Sequence, residues 1–166
     1  MKIREKSFFN PTLGEVTVAQ MIKEISRFVQ EDSESFYRLV IGTDSQGRRV
    51  KGRMECNYVT AIVIHRMGKG AKYFWQREMV KGKIILRDKI YSETQRSLET
   101  AQTLVPNIRK VISPAKYDLE IHIDVGSLGP TREMIKEVVG MVSGNGFVAK
   151  TKPESWAASS VADKHT

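Results

Sequence analysis

The residues whose types and spacing suit chemistry are acids at the ends of two apolar runs. In Arg38-Leu39-Val40-Ile41-Gly42-Thr43-Asp44-Ser45-Gln46-Gly47, an apolar run of the kind found in a strand covered on both faces ends on Asp44, small polar residues and glycine. Leu119-Glu120-Ile121-His122-Ile123-Asp124-Val125-Gly126 has the same form. An aspartate at a strand end also caps turns, so neither is diagnostic alone. Two such strands in one sheet, however, bring two carboxylates together. The helix between them offers Glu93, on the flank of the apolar stripe Leu98, Ala101, Leu104 and Val105, and Glu99, nearly opposite that stripe and better suited to solvent. On the last helix Trp156, Ser159, Ser160 and Asp163 share a face; so near the chain end Asp163 also suits a merely solvated acid, though Ala157, Ala158, Val161 and Ala162 make the tail apolar enough to dock. Gathered carboxylates repel one another, and a hard divalent cation such as Mg²⁺ (or Mn²⁺) offsets that repulsion through oxygen ligands. Two such ions ~4 Å apart activate water and stabilise the leaving oxygen in phosphodiester cleavage. Asp44, Glu93, Asp124 and Asp163 are therefore the expected metal ligands and catalytic residues.

These acids must be positioned by the elements around them. Residues 1–16, with Phe8, Phe9, Asn10, Pro11 and Gly14, read as an N-terminal arm. Thr17-Val18-Ala19-Gln20 resembles a capping box, and Val18, Met21, Ile22, Ile25, Phe28 and Val29 follow at helical spacing. A strand is expected over 37–44, a basic turn over 46–52 holding Arg48, Arg49 and Lys51, and a long strand over 54–65. Gly68-Lys69-Gly70 reads as a hairpin turn to a partner strand over 71–80. A basic connection (81–92) leads to a helix from Tyr91 or Ser92 to Val105, where Pro106 interrupts it, with 107–112 suited to a further helical turn or two. A fourth strand (118–125), a helix beginning near Thr131, a short fifth strand (147–152) and a last helix opened by Pro153 complete the chain. The simplest arrangement is an α/β fold: one domain over 1–166, with a five-stranded mixed sheet in the order 3-2-1-4-5. Helices lie on both faces of that sheet. Connections leave strands one and four in opposite directions. Asp44 and Asp124 then end the two strands that flank the switch point.

Composition narrows the classes. The 166 residues hold 27 Lys and Arg against 19 Asp and Glu, a net charge of +8 that suits a polyanion such as nucleic acid. No apolar run approaches the ~20 residues that span a bilayer, so no membrane partner is expected. Nothing after Met1-Lys2-Ile3-Arg4-Glu5-Lys6 has the form of a signal peptide, and Cys56 is the single cysteine; both suit a reducing cytoplasm. Arg48, Arg49 and Lys51 are the expected nucleic-acid contacts.

Other residues admit two readings. His122 alternates onto the face of Asp124 and suits a metal ligand or a hydrogen-bonded core histidine. Gly126 and Gly129, ahead of a helix, suit a phosphate loop or a turn that needs glycine. Tyr58, Tyr73, Phe74 and Trp75 suit base stacking or core packing.

The motifs Phe9-Asn10-Pro11-Thr12, Gly42-Thr43-Asp44-Ser45-Gln46, Ile123-Asp124-Val125-Gly126, Gly140-Met141-Val142-Ser143-Gly144-Asn145-Gly146-Phe147 and Lys152-Pro153-Glu154-Ser155-Trp156 through Thr166 resemble those of the YkuK family, a bacterial group in the ribonuclease H-like superfamily. The resemblance implies a ribonuclease H-like fold, with Asp44, Glu93 (Glu99 being its rival in alignment), Asp124 and Asp163 matching the acids that bind two Mg²⁺ ions there, and with His165 beside the last. It implies a divalent-metal-dependent nuclease. The alternatives are a non-catalytic nucleic-acid-binding module on the same fold and a nucleotide-dependent phosphotransferase, for which the chain is short.

Overall fold

A computed structural model of the chain describes residues 7–126, 129, 131–152, 154, 155, 161 and 165. The fold is α/β. Its order is β1 (Phe8–Asn10), β2 (Gly14–Val16), α1 (Val18–Glu31), β3 (Tyr37–Val50), β4 (Arg53–Arg66), β5 (Ala71–Lys81), α2 (Leu86–Val111), β6 (Tyr117–His122), α3 (Ile135–Gly144) and β7 (Val148–Lys150). Short 3₁₀ turns at Pro114–Lys116 and Arg132–Met134 precede β6 and α3.

The sheet is mixed and among the described residues has seven strands, not five, in the order β2-β1-β5-β4-β3-β6-β7. The two extra strands come from the residues expected to form an arm. That hairpin escapes a periodicity argument because each strand is three residues long. Its turn is built by Asn10, whose Oδ1 accepts from the amides of Thr12 and Leu13, while its Nδ2 donates to the Tyr73 carbonyl. Thus the Phe9-Asn10-Pro11-Thr12 motif has a structural role: it seats the edge hairpin on β5. β3, β6 and β7 run parallel, and β4 and β5 are antiparallel to their neighbours.

Alternation along the strands divides the core between two faces. On one face, Tyr37, Leu39, Ile41, Ile62, Ile64, Phe74 and Ile121 meet Met21, Ile25 and Phe28 of α1, Leu98, Ala101 and Leu104 of α2, and Val138 and Val142 of α3. Tyr58 and Phe74 are buried, as core packing requires. On the other face, Val40 and Val63 pack with Tyr73 and Val161, and Val59 and Ala61 with Trp75 and Val161. The His165 ring stacks on Trp75 at 3.7 Å between centroids and 6° between planes.

Three element boundaries differ from expectation. β3 continues beyond Asp44 to Val50, so Arg48 and Arg49 lie in a strand rather than a turn. That polar stretch carries no hydropathy signal, yet the ladder to β4 holds it extended as far as the Val50–Arg53 pair. Only Lys51 and Gly52 form the turn, with φ of 50° and 77°, the two positive values of a type I′ hairpin. The second helix starts at Leu86 and runs through Pro106 to Val111. Pro106 is exposed, while Leu104, Val105 and Ile108 continue the buried stripe past it, so packing outweighs one missing backbone hydrogen bond. β6 stops at His122, leaving Asp124 just beyond the strand rather than within it.

Candidate functional site

Parallel register sets the geometry of the acids. Gly42 of β3 lies beside His122 of β6, which lies beside Lys150 of β7. Two residues further along each chain come Asp44, Asp124 and Lys152. The Lys152 Nζ is 2.7 Å from Asp124 Oδ1, an ion pair at the mouth of the sheet. Asp124, Asp44 and Glu93, in that order, all favour the charged ammonium and raise the Lys152 pKa.

Glu93 approaches from α2. The helix is fastened over β3 at two points: Thr43 Oγ1 is 2.8 Å from Ser97 Oγ and 3.0 Å from Thr60 Oγ1, and Ser45 Oγ donates to Glu93 Oε1 at 2.5 Å. The fit is one of repeats. Two strand residues advance ~6.6 Å and four helix residues ~6 Å, so successive inward hydroxyls of β3 meet successive turns of α2. Glu93 is buried, and burial, more than the nearby charges of Asp44 and Asp124, pushes its carboxyl up from 4.5 to about 8, against the Ser45 hydrogen bond and Lys89. Glu99 is exposed, accepts from Gln95 Nε2 at 3.2 Å, and stays away from this group.

The structure therefore brings Asp44, Asp124, Glu93 and Lys152 to one end of the sheet. Asp44 and Ser45 are neighbours on one strand and present their side chains to alternate faces, so Glu93 reaches the row from the helical side. Among the described residues, no three His, Cys, Asp or Glu side chains form a group that could hold a metal ion as they stand. Asp163 lies outside the described residues, as do Ser127 and Leu128 in the loop between Gly126 and Gly129.

Other candidates resolve differently. His122 is buried with its Nε2 3.1 Å from Glu120 Oε2, and Arg38 Nε is 3.6 Å from the same carboxylate. Burial pushes His122 below its ordinary range, with Glu120 opposing. It belongs to a part-buried polar network with Glu120 and Arg38 beside the carboxylate row. Tyr73 and Trp75 lie under Val161 and His165. Arg48, Arg49 and Lys51 are exposed on the β3–β4 hairpin, which projects past Asp44.

Two residues of this site gave no signal in the sequence. Ser45 is one small polar residue among several beyond a strand, and its role appears only once α2 is placed over it. Lys152 is one cation among many; only the His122–Lys150 register predicts that it falls beside Asp124.

Comparison with known proteins agrees with this architecture. A family model described as Ribonuclease H-like matches residues 20–166. A protein titled "Uncharacterized protein YkuK" from Bacillus subtilis (strain 168) is 35% identical over 169 residues, spanning 96% of this chain and 96% of its own length. No solved structure matches the chain.

Proposed function

The chain belongs to the YkuK family of ribonuclease H-like proteins, and from that membership we propose that it is a divalent-metal-dependent nuclease that hydrolyses phosphodiester bonds of nucleic acid. The observation that carries this reading is the convergence of Asp44, Asp124 and Glu93 at one end of the sheet, where both aspartates act on the Glu93 carboxyl and all three acids on the Lys152 ammonium.

The donor chemistry fits Mg²⁺ or Mn²⁺. Carboxylate oxygens are the ligands such ions take, and the repulsion that helps raise Glu93 is what a cation would relieve. Asp44, Asp124 and Glu93 would hold it, with Asp163 as the fourth acid. When bound, it supplies Lewis acidity, making a nucleophile of water and offsetting charge on the phosphate. The remaining work falls to the protein's own groups. Ser45 orients the Glu93 carboxyl by its hydrogen bond. Lys152 balances Asp124 and must turn aside, or stay as a second cation, when that carboxylate becomes a ligand. Exposed hairpin cations on the Asp44 face, Arg48 among them, hold the polymer near the acids.

The test uses the purified chain, labelled single-stranded DNA, RNA, hybrid and junction substrates, and Mg²⁺ or Mn²⁺. Cleavage should fall at least a hundredfold in Asp44→Asn, since removal of one catalytic electrostatic group typically has that effect. Cleavage that persists unchanged in the variant would refute the assignment.

The Lys152–Asp124 ion pair favours a second reading, a binding module on the same fold whose acid cluster is already part-neutralised by lysine. That protein would bind nucleic acid in a salt-sensitive way, with no metal-dependent turnover.

A further inference from the structure

Beyond Ser45 the sheet continues as an arm. Its strands are the ends of β3 and β4 and the last residues of β5, paired as Gln46–Asn57–Met79 and Arg48–Glu55–Lys81, with Val50–Arg53 at the tip. β6 pairs with β3 only as far as Gly42, so no parallel strand flanks this part. Side chains alternate between the faces of a strand, and register partners share a face. Asp44 is therefore on the same face as Arg48, and through the ladder as Arg53 and Lys81. Arg49, one residue along, is on the opposite face.

The three cations on this face of the arm are exposed, and among the described residues none of them is in an ion pair. Among the described residues, Arg48 makes a weak contact to the Met79 sulfur at 4.0 Å. Glu55 is the one acid on this face of the arm, and it sits between Arg48 and Lys81. Those two cations are two strand spacings apart, roughly 10 Å. Among the described residues, no aromatic side chain occurs on this part of the face. The nearest, Trp75, is already stacked against His165. Cations without a stacking platform grip phosphates and leave bases unread.

We infer that the arm face formed by Arg48, Arg53 and Lys81, continuous with Asp44, seats the sugar–phosphate backbone of a nucleic acid without regard to base sequence, and that Arg49 on the reverse face takes no part. This rests on the nucleic-acid side of the function proposed above, not on cleavage. Binding is therefore measured in EDTA, by fluorescence anisotropy of the full-length chain on labelled DNA duplexes of two unrelated sequences, over a series of salt concentrations. Arg48→Gln, Arg53→Gln and Lys81→Gln should each weaken binding to both duplexes alike and lower the slope of log K against log salt by about 0.9. Arg48→Lys should restore it. Arg49→Gln should bind as the parent does, and Glu55→Gln should bind more tightly, a gain that a misfolded variant does not give.

The inference is overturned if Arg49→Gln costs as much as Arg48→Gln, if the three face variants keep the parent slope, or if the parent binds neither duplex. Loss of cleavage in Asp44→Asn with binding intact leaves it standing. Parent-like binding by the face variants of an active nuclease refutes it while the nuclease reading survives.

Discussion

Glu93 concentrates the chemistry of the site in one group. Its carboxyl stays protonated in the fold up to about 8, whereas the unfolded chain releases that proton near 4.5. Between those values the folded protein holds the extra proton, so stability falls as pH rises across the window and levels off above it. Glu93→Gln keeps an acceptor for Ser45 and removes the titration. At pH 8 the variant should be more stable than the parent by about 2–4 kcal/mol, with little difference near pH 4.5. Urea unfolding at several pH values measures this; parallel pH profiles for the two proteins would show that Glu93 is already ionised. Asp44 and Asp124 were legible in the sequence because each ends an apolar run. The choice of Glu93 over Glu99 was legible from helical phase. The hydroxyl of Ser45 and the ammonium of Lys152 were not, because each acts through a partner on another element.

Elements with a strong period were readable and those without one were not. The α1 stripe and its Thr17–Gln20 capping box stand where spacing puts them. β1 and β2 are too short to show a period, and the outer half of β3 is too polar to show one. Pro106 was expected to interrupt a helix that a buried stripe carries through it without a break. The turn at the arm tip holds a further consequence of local geometry. Lys51 occupies a left-handed conformation that a side chain with a Cβ resists. Lys51→Gly should raise stability by about 0.5–1 kcal/mol while removing one charge, and Lys51→Asn should do so by less. Thermal melts decide the point, and a loss in both variants would mean that the lysine side chain makes a compensating contact.

At the scale of the molecule, the two faces of the sheet are unequal among the described residues. One is covered by three helices. The other has small apolar clusters closed by Val161. Val161→Asp should place a carboxylate against Val40, Val59, Ala61 and Val63 and lower the melting temperature by roughly 5 °C or more, whereas Val161→Leu should change it little. Melting that is indifferent to Val161→Asp would show that this cover adds nothing to the fold. Among the described residues no helix is long and apolar enough to cross a membrane.

β3 spans both regimes of the protein, its first half under helices and its second half in solvent, in one unbroken ladder with β4. A ladder of that kind has no hinge. Arg48 is four residues from Asp44, roughly 13 Å along an extended chain. Any polymer clasped by the outer residues is thus kept at a fixed interval from the carboxylates, and the strand serves as a ruler that side-chain motion cannot reset.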